Sequence, residues 1–99
     1  MARIRRLRVT GEILLASEGS QSRGSLRDLS LDGAGAENVD PPLKPGSCAD
    51  LTITVGSQRI SPIRADVIWA DKDALGLRFR AIDPLERAKI IQVASSMLS

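Results

Sequence analysis

The residues whose types and spacing could do chemistry lie in two short stretches of the first third of the chain. Residues 28–33 read Asp-Leu-Ser-Leu-Asp-Gly, a D-x-S-x-x-G pattern that brings a carboxylate, a hydroxyl and a glycine together. Upstream, four arginines precede the first acidic residue: Arg3, Arg5, Arg6 and Arg8. Guanidinium groups can clamp phosphates and stack on purines, and a tight polar turn can place hydrogen-bonding groups against a nucleotide. The pairing predicts a nucleotide-binding module.

Enzyme chemistry has few residues to draw on. The 99 residues include no histidine and one cysteine, Cys48. This composition excludes a histidine-dependent triad, a histidine general base and a His-x-x-x-His zinc site. The carboxylates of Asp66, Asp71 and Asp73 are the best remaining catalytic candidates, but they flank a predicted strand and turn, where acidic residues usually face water. We therefore expect a protein that is not an enzyme and binds no metal, with Cys48 half-buried in a strand.

Size, charge and hydropathy favour one globular domain over residues 1–99. Hydrophobic residues make up 42% of the chain, the net charge is +2 and the mean hydropathy is -0.04. No apolar run approaches the length of a membrane span, and the basic start is not followed by the apolar stretch of a secretory signal. These features predict a cytoplasmic location without membrane insertion.

Alternating patterns predict six strands and one helix. The expected strands cover residues 8–17, 23–31, 33–37, 48–55, 58–70 and 74–80. Between them, residues 18–22 and 38–46 read as a turn and a proline-rich loop, and Pro62 marks an edge position or a bend. We expect a flexible arginine-rich segment over residues 1–8, a small antiparallel barrel over 9–80 and a C-terminal helix over 83–98.

Three details of this pattern bear on a site. The apolar phase slips near Arg27, which indicates a bulge that would re-aim Asp28 and Ser30. The small-residue run over 33–37 indicates that something approaches its backbone closely. Trp69 is in phase with Ile63, Ala65 and Val67, which predicts an inward-facing indole.

The end of the chain has the signals of a helix start. Asp83 is placed to cap the N-terminus, Pro84 stands at the first helical position and Glu86 at the third. Apolar residues at helical spacing predict a stripe that covers an open end of the barrel or, alternatively, binds a partner. The stripe consists of Leu85, Ala88, Ile91 with Val93 or Ala94, and Leu98.

The order of these features resembles a PilZ domain over essentially the whole chain. The strongest matching segments are Asp-Leu-Ser-Leu-Asp-Gly-Ala at 28–34 and Ala-Leu-Gly-Leu-Arg-Phe at 74–79, with Ala-Asp-Val-Ile-Trp at 65–69 in support. The resemblance implies an all-β fold, a six-stranded antiparallel barrel with a C-terminal α-helix. Many PilZ domains are receptors for the bacterial second messenger cyclic di-GMP and pass its binding to a partner protein or an attached domain.

The resemblance also implies a set of ligand-binding residues. In the family, an R-x-x-x-R motif before the first strand contacts phosphates and guanine faces, and the D-x-S-x-x-G turn hydrogen-bonds guanine. Here no two arginines of the N-terminal block are four residues apart, so a one-residue slip would be needed for Arg5 to supply the first guanidinium. The residues expected to bind cyclic di-GMP are Arg5, Arg6, Arg8, Asp28, Ser30 and Gly33. Binding is expected to order the N-terminal segment and so change the surface offered to a partner.

Other readings of the same residues remain open. Asp28 and Ser30 are also residues that satisfy a turn, and the arginine block is also typical of a solvated tail. The shifted arginine spacing favours a second hypothesis, a PilZ-like interaction module of pilus, motility or polysaccharide machinery that binds cyclic di-GMP weakly or not at all. A nucleic-acid-binding barrel rests on the basic start alone, and two aromatic residues are few for a base-stacking surface.

Overall fold

The computed structural model describes residues 7–98 and confirms an all-β barrel with one C-terminal helix. The strands are β1 Leu7–Ser17, β2 Ser20–Leu29, β3 Gly33–Asp40, β4 Cys48–Val55, β5 Gln58–Asp71 and β6 Ala74–Ala81, followed by helix α1 Pro84–Leu98. Their order around the closed barrel is β1-β2-β3-β6-β5-β4, with every neighbouring pair antiparallel. Within residues 7–98, no helix is long and apolar enough to cross a membrane.

The barrel interior is filled by aliphatic side chains in the alternating phase that the sequence predicts. Leu51 and Ile53 of β4 and Leu75 and Leu77 of β6 are fully buried, and Phe79 is 8% exposed. Burial of such side chains is the main stabilising contribution to a domain of this size. Closure of the barrel also removes the open sheet edges that invite association with other chains.

Both predicted ends of β2 were wrong, because the turn before this strand is shorter than expected and the turn after it is longer. The β1–β2 turn needs only Glu18 and Gly19, both at positive φ (49° and 79°), so β2 begins at Ser20 inside the predicted turn. A pair of left-handed residues matches the twist of the flanking strands, which allows the strands to pair up to the turn itself. At its other end, β2 stops at Leu29 rather than residue 31.

The predicted loop over 38–46 begins too early. Strand β3 continues to Asp40, because Asn38 takes up a bend at φ 55° and Val39 returns to the core with 1% exposure. The backbone N–H of Val39 donates to the carbonyl of Asp73 at 2.9 Å. Only the prolines that follow end the strand, because proline lacks the N–H needed for pairing.

Pro62 lies at a bend, which is one of the two positions predicted for it, the other being the edge of a sheet. The pairing of β4 with β5 shifts between Leu51↔Ile63 and Ile53↔Ile60, so the segment containing Pro62 carries an extra residue. A bulge tolerates proline because the ladder hydrogen bonds are already interrupted there. Cys48 lies half-buried at the start of β4, as expected.

Helix α1 begins where the capping signals place it, but three residues of the predicted apolar stripe face solvent rather than the barrel, and of the stripe residues whose burial is described only Val93 is buried. The Leu85 N–H points to the Asp83 carboxylate at 3.4 Å, consistent with a weak N-cap. Leu85 and Ile91 are 73% and 48% exposed, and Ala88 is also exposed. The helix instead buries Glu86, Ile90 and Val93, and it packs against β5.

This rotation of the helix is possible because two of its faces are apolar. Ile90 and Ile91 lie on different sides of the helix, so hydropathy alone does not choose between them. The buried Glu86 is compatible with the choice because it lies in the first turn, where the backbone amides favour a negative charge. Lys89 pairs with it at 3.5 Å.

Candidate nucleotide-binding site

The D-x-S-x-x-G segment forms the end of β2 and the turn into β3. The backbone N–H of Ser30 donates to the carbonyl of Gly33 at 2.9 Å, and its hydroxyl donates to the Asp32 carboxylate at 2.5 Å. The N–H of Phe79 donates to the Asp32 carbonyl at 2.8 Å, and this hydrogen bond connects the turn to strand β6. Ser30 is 4% exposed. The turn is therefore fixed by its own polar groups.

A bulge in β2 lies at the predicted position and turns two consecutive side chains outward. Leu26 pairs with Ala36 and Asp28 pairs with Gly35, so Arg27 is an extra residue relative to β3. Leu26 and Leu29 both face the core at 3% exposure, and the two residues between them lie on the outer side. Neighbouring strand residues normally point to opposite faces. The bulge is what brings the Arg27 and Asp28 side chains together.

Five residues form a continuous row across the outside of the barrel, which we call the transverse row. The strand register gives it as Arg8 beside Asp28, Asp28 beside Gly35, Gly35 beside Gly76, and Gly76 beside Trp69. It crosses β1, β2, β3, β6 and β5 in turn. An arginine and a carboxylate thus lie at one end, two glycines in the middle and an indole at the other end.

The two glycines of the transverse row are covered by their neighbours' side chains. A Cβ on Gly35 would lie 2.6 Å from Asp28 Oδ2, and a Cβ on Gly76 would collide with the indole of Trp69. The close approach predicted from the small residues of 33–37 is therefore made by the Asp28 carboxylate. The Asp28 carboxylate and the Trp69 indole lie directly against the barrel backbone, because the glycines below them have no side chain to keep them away from it.

The prediction that Trp69 faces the core was wrong. Val67 pairs with Leu77 and Trp69 pairs with Gly76, so β5 has one residue more than β6 over this stretch. This shift turns the side chains of Ile68 and Trp69 outward, where they are 49% and 37% exposed. The one tryptophan of the chain is therefore an aromatic surface group of the transverse row.

Arg27 connects the two ends of this surface. Its Nε lies 3.3 Å from Asp28 Oδ2, and its guanidinium carbon lies 5.8 Å from the centroid of the Trp69 ring. Both distances are within the range of direct electrostatic attraction, and the second is a cation–π arrangement. Asp28 is shielded, with 14% of its side chain exposed, whereas Arg27 is 36% exposed.

A cavity of about 370 Å³ opens beside the transverse row, at the place where the β1–β2 pairing is interrupted between Arg8 and Gly11. Its lining includes the two arginines Arg8 and Arg27, the hydroxyl-bearing Thr10 and Ser25, and Glu37. The interrupted ladder makes the space, because Val9 and Thr10 have no register partner on β2. The cavity thus combines positive charge with hydrogen-bonding groups.

The structure brings together only some of the residues predicted to bind a ligand. Arg8 and Asp28 are cross-strand neighbours, and Ser30 and Gly33 form the adjoining turn. Of the predicted flexible segment 1–8, residues 1–6 with Arg5 and Arg6 lie outside the described residues, and the last two residues belong to β1. Sequence reasoning missed Arg27, Gly35, Gly76 and Trp69 as parts of this surface. The phase slip at residue 27 and the strand glycines were the available signals for them.

The carboxylates considered for catalysis do not form a cluster. Asp66 pairs with Arg80 at 2.9 Å on the barrel surface, and Asp71 and Asp73 are exposed at the β5–β6 turn. The hydrogen bond that Arg80 donates to the Asp66 carboxylate, followed by the negative charge of that carboxylate, raises the pKa of Arg80, and Asp50 raises the pKa of Arg64 in the same way. Among residues 7–98, no group of three or more acidic or cysteine side chains is arranged to hold a metal ion.

Replacing Gly76 by alanine is expected to displace the Trp69 indole, because the new methyl group would occupy the position of the ring. The emission of this single tryptophan should shift to longer wavelength as the indole becomes more exposed, which steady-state fluorescence can measure. Gly19→Ala is the control, since a Cβ there meets no atom within 4 Å. An unchanged emission maximum in Gly76→Ala would contradict the placement of the indole.

Comparisons with known proteins agree on the fold. The chain matches the PilZ domain family over residues 2–95. The crystal structure of the PilZ domain of CeSA, from a cellulose-synthesizing bacterium, superimposes with a TM-score of 0.74 at 14% identity, covering 96% of this chain and 99% of that one. A search of curated protein sequences finds no match.

Two similar structures come from YcgR of Escherichia coli. Its PilZ domain with c-di-GMP superimposes with a TM-score of 0.78 at 19% identity, covering 96% of this chain and 89% of that one. YcgR in complex with c-di-GMP gives a TM-score of 0.79 at 22% identity, covering 97% of this chain, which spans 45% of the YcgR chain. The family match over nearly the whole length, together with the closed six-stranded barrel, shows that this chain belongs to the PilZ domain family.

Proposed function

We propose that this PilZ domain is a bacterial cytoplasmic receptor for cyclic di-GMP and that it performs no catalysis. Cyclic di-GMP carries two guanine bases and two phosphodiester groups, so its receptor needs acceptors for guanine N–H groups, cations for phosphate and flat surfaces for the bases. The transverse row supplies all three kinds of group. This arrangement of Arg8, Asp28 and Trp69 is the observation that carries the proposal.

Asp28 is assigned to the guanine base. A carboxylate can accept two parallel N–H bonds from the edge of a guanine, and hydrogen bonds to a charged group are the strong ones. Because Gly35 has no side chain, the Asp28 carboxylate can lie directly against the backbone of β3. Trp69, three strands away, is 37% exposed, and a purine can stack on the part of its ring that Arg27 does not cover.

The remaining predicted residues keep their proposed roles around this centre. Arg8, together with Arg5 and Arg6 of the preceding segment, is assigned to phosphate oxygens and guanine faces. Gly33 permits the close approach of β3 to β6 that shapes the turn. Ser30 fixes that turn through its hydroxyl, and a direct contact of this hydroxyl with the ligand stays a prediction.

Titration calorimetry with cyclic di-GMP tests the proposed function. The wild-type protein should show saturable binding, and Arg8→Ala should weaken it by about tenfold or more through loss of a charged hydrogen bond. Arg59→Ala is the matched control, since Arg59 is an exposed arginine on β5 beside Thr54 of β4, away from the transverse row. Absence of binding by folded wild-type protein at high ligand concentration would refute the proposal.

The output is proposed to be an ordering of the N-terminal arginine segment around the ligand, which changes the surface seen by a partner protein or an attached domain. Hydrogen exchange with and without cyclic di-GMP should show slower exchange over residues 1–10. Unchanged exchange there, in protein saturated with ligand, would rule out this output.

The shifted arginine spacing supports a second candidate, a PilZ module that acts through protein contacts without the nucleotide. It predicts a stable complex with a specific partner that is insensitive to added cyclic di-GMP. The exposed Leu85 and Ile91 of α1 are the apolar groups such a contact would use. The titration distinguishes the two candidates.

A further inference from the structure

We propose that Arg27 is a further ligand-binding arginine, which holds a phosphodiester group of the bound nucleotide together with Arg8. This inference rests on the proposed function and adds a residue to its site. The observation behind it is that Arg8 and Arg27, from two different strands, line the same cavity. Two guanidinium groups at one cavity favour a ligand with a compact negative charge.

The position of Arg27 on this side of the barrel follows from the bulge. In a regular strand, one outward-facing residue separates two inward-facing residues. Here two residues, Arg27 and Asp28, separate the inward-facing Leu26 and Leu29. Arg27 and Asp28 therefore share the outer surface, and the register places Asp28 directly beside Arg8. The extra residue brings a second cation to the site.

The guanidinium of Arg27 is already held in place. Its contact with Asp28 at 3.3 Å uses Nε, and the Trp69 ring lies 5.8 Å from the guanidinium carbon. A guanidinium has four further N–H groups on its two terminal nitrogens, in a planar arrangement that suits two phosphate oxygens. A side chain held in one orientation loses less conformational entropy when a ligand binds. With 36% of the side chain exposed, the group is accessible.

One charge at the cavity opposes an anion. Glu37, exposed on β3 and paired in register with Ser25, also lines the cavity. Its carboxylate repels a phosphate group, so removal of this charge should strengthen binding. Arg27 and Glu37 therefore make predictions of opposite sign at the same cavity.

Titrations with cyclic di-GMP of wild type, Arg27→Ala, Arg27→Lys and Glu37→Gln test the inference, with Arg59→Ala as control. Arg27→Ala should weaken binding by about tenfold or more, and Arg27→Lys should recover part of the loss. Glu37→Gln should bind up to a few-fold more tightly than wild type. The salt dependence of the dissociation constant should be shallower in Arg27→Ala, because one phosphate contact is lost.

The outcomes separate this inference from the function on which it rests. If wild type binds and Arg27→Ala binds within about twofold of it, or with the same salt dependence, Arg27 does not hold phosphate and the receptor function stands. If folded wild type does not bind, the receptor function fails and the inference fails with it. Thermal unfolding of each variant establishes folding, and Arg27→Met, which keeps the aliphatic stem, replaces Arg27→Ala if the latter does not fold.

Discussion

Gly33→Ala is expected to lower the free energy of unfolding by about 3 kcal/mol or more. A Cβ at this position would collide with the backbone carbonyl oxygen of Leu77, because β3 and β6 are in register there with Gly33 opposite Arg78. Backbone cannot move aside as a flexible side chain can, so the β3–β6 pairing must open. For a domain of about 100 residues, the melting temperature should fall by on the order of 15 °C.

Urea unfolding measures this effect, and Gly19→Ala is the matched control. Gly19 has φ 79° and open space around it, so alanine there costs only backbone strain, about 1 kcal/mol. If both variants unfold at the same urea concentration, the close approach of Gly33 to β6 is not a determinant of stability. The comparison separates steric conflict from the general effect of replacing a glycine.

Asp28→Ala is expected to reduce the affinity for cyclic di-GMP by about 100-fold or more. Two hydrogen bonds to a charged acceptor contribute about 3 kcal/mol or more together, and such bonds are stronger where water is largely excluded. Only 14% of the Asp28 side chain is exposed. The substitution also removes the carboxylate that orients Arg27, so the loss should exceed that of Arg27→Ala. Titration calorimetry measures both.

Asp50→Ala is the control for this substitution. Asp50 is likewise a strand carboxylate on the barrel surface that pairs with an arginine, with Arg64 Nε at 3.1 Å, but it lies on β4 outside the transverse row. Its removal should leave ligand affinity within about twofold of wild type, since exposed ion pairs contribute little. Equal losses in Asp28→Ala and Asp50→Ala would show that charge in general, rather than a contact with guanine, determines binding.

Local sequence patterns predicted the elements of the barrel well because one face of each strand is buried. Leu51 and Ile53, or Leu75 and Leu77, alternate with polar or small residues, and this pattern fixes which side faces the core. The phase slip at Arg27 was visible for the same reason. Asp28 and its turn were recognisable because they form one contiguous segment.

The rest of the candidate site depends on register between distant strands. Trp69 follows Ile68, so an apolar residue is available for either face and hydropathy does not show where the strand shifts phase. Gly35 and Gly76 become neighbours only when β3 pairs with β6. The buried face of α1 was missed for a related reason, since both Ile90 and Ile91 are apolar and packing against β5 makes the choice.

The hydrogen bond between the Phe79 N–H and the Asp32 carbonyl has a mechanical consequence. It fastens the turn after β2 to strand β6, and β6 ends at Ala81, three residues before α1 begins at Pro84. The turn, strand β6 and helix α1 are thus connected one after the other. Asp32 is thereby connected to the start of α1 by one backbone hydrogen bond and the short backbone segment 79–84, in addition to the packing of Ile90 and Val93 against the barrel.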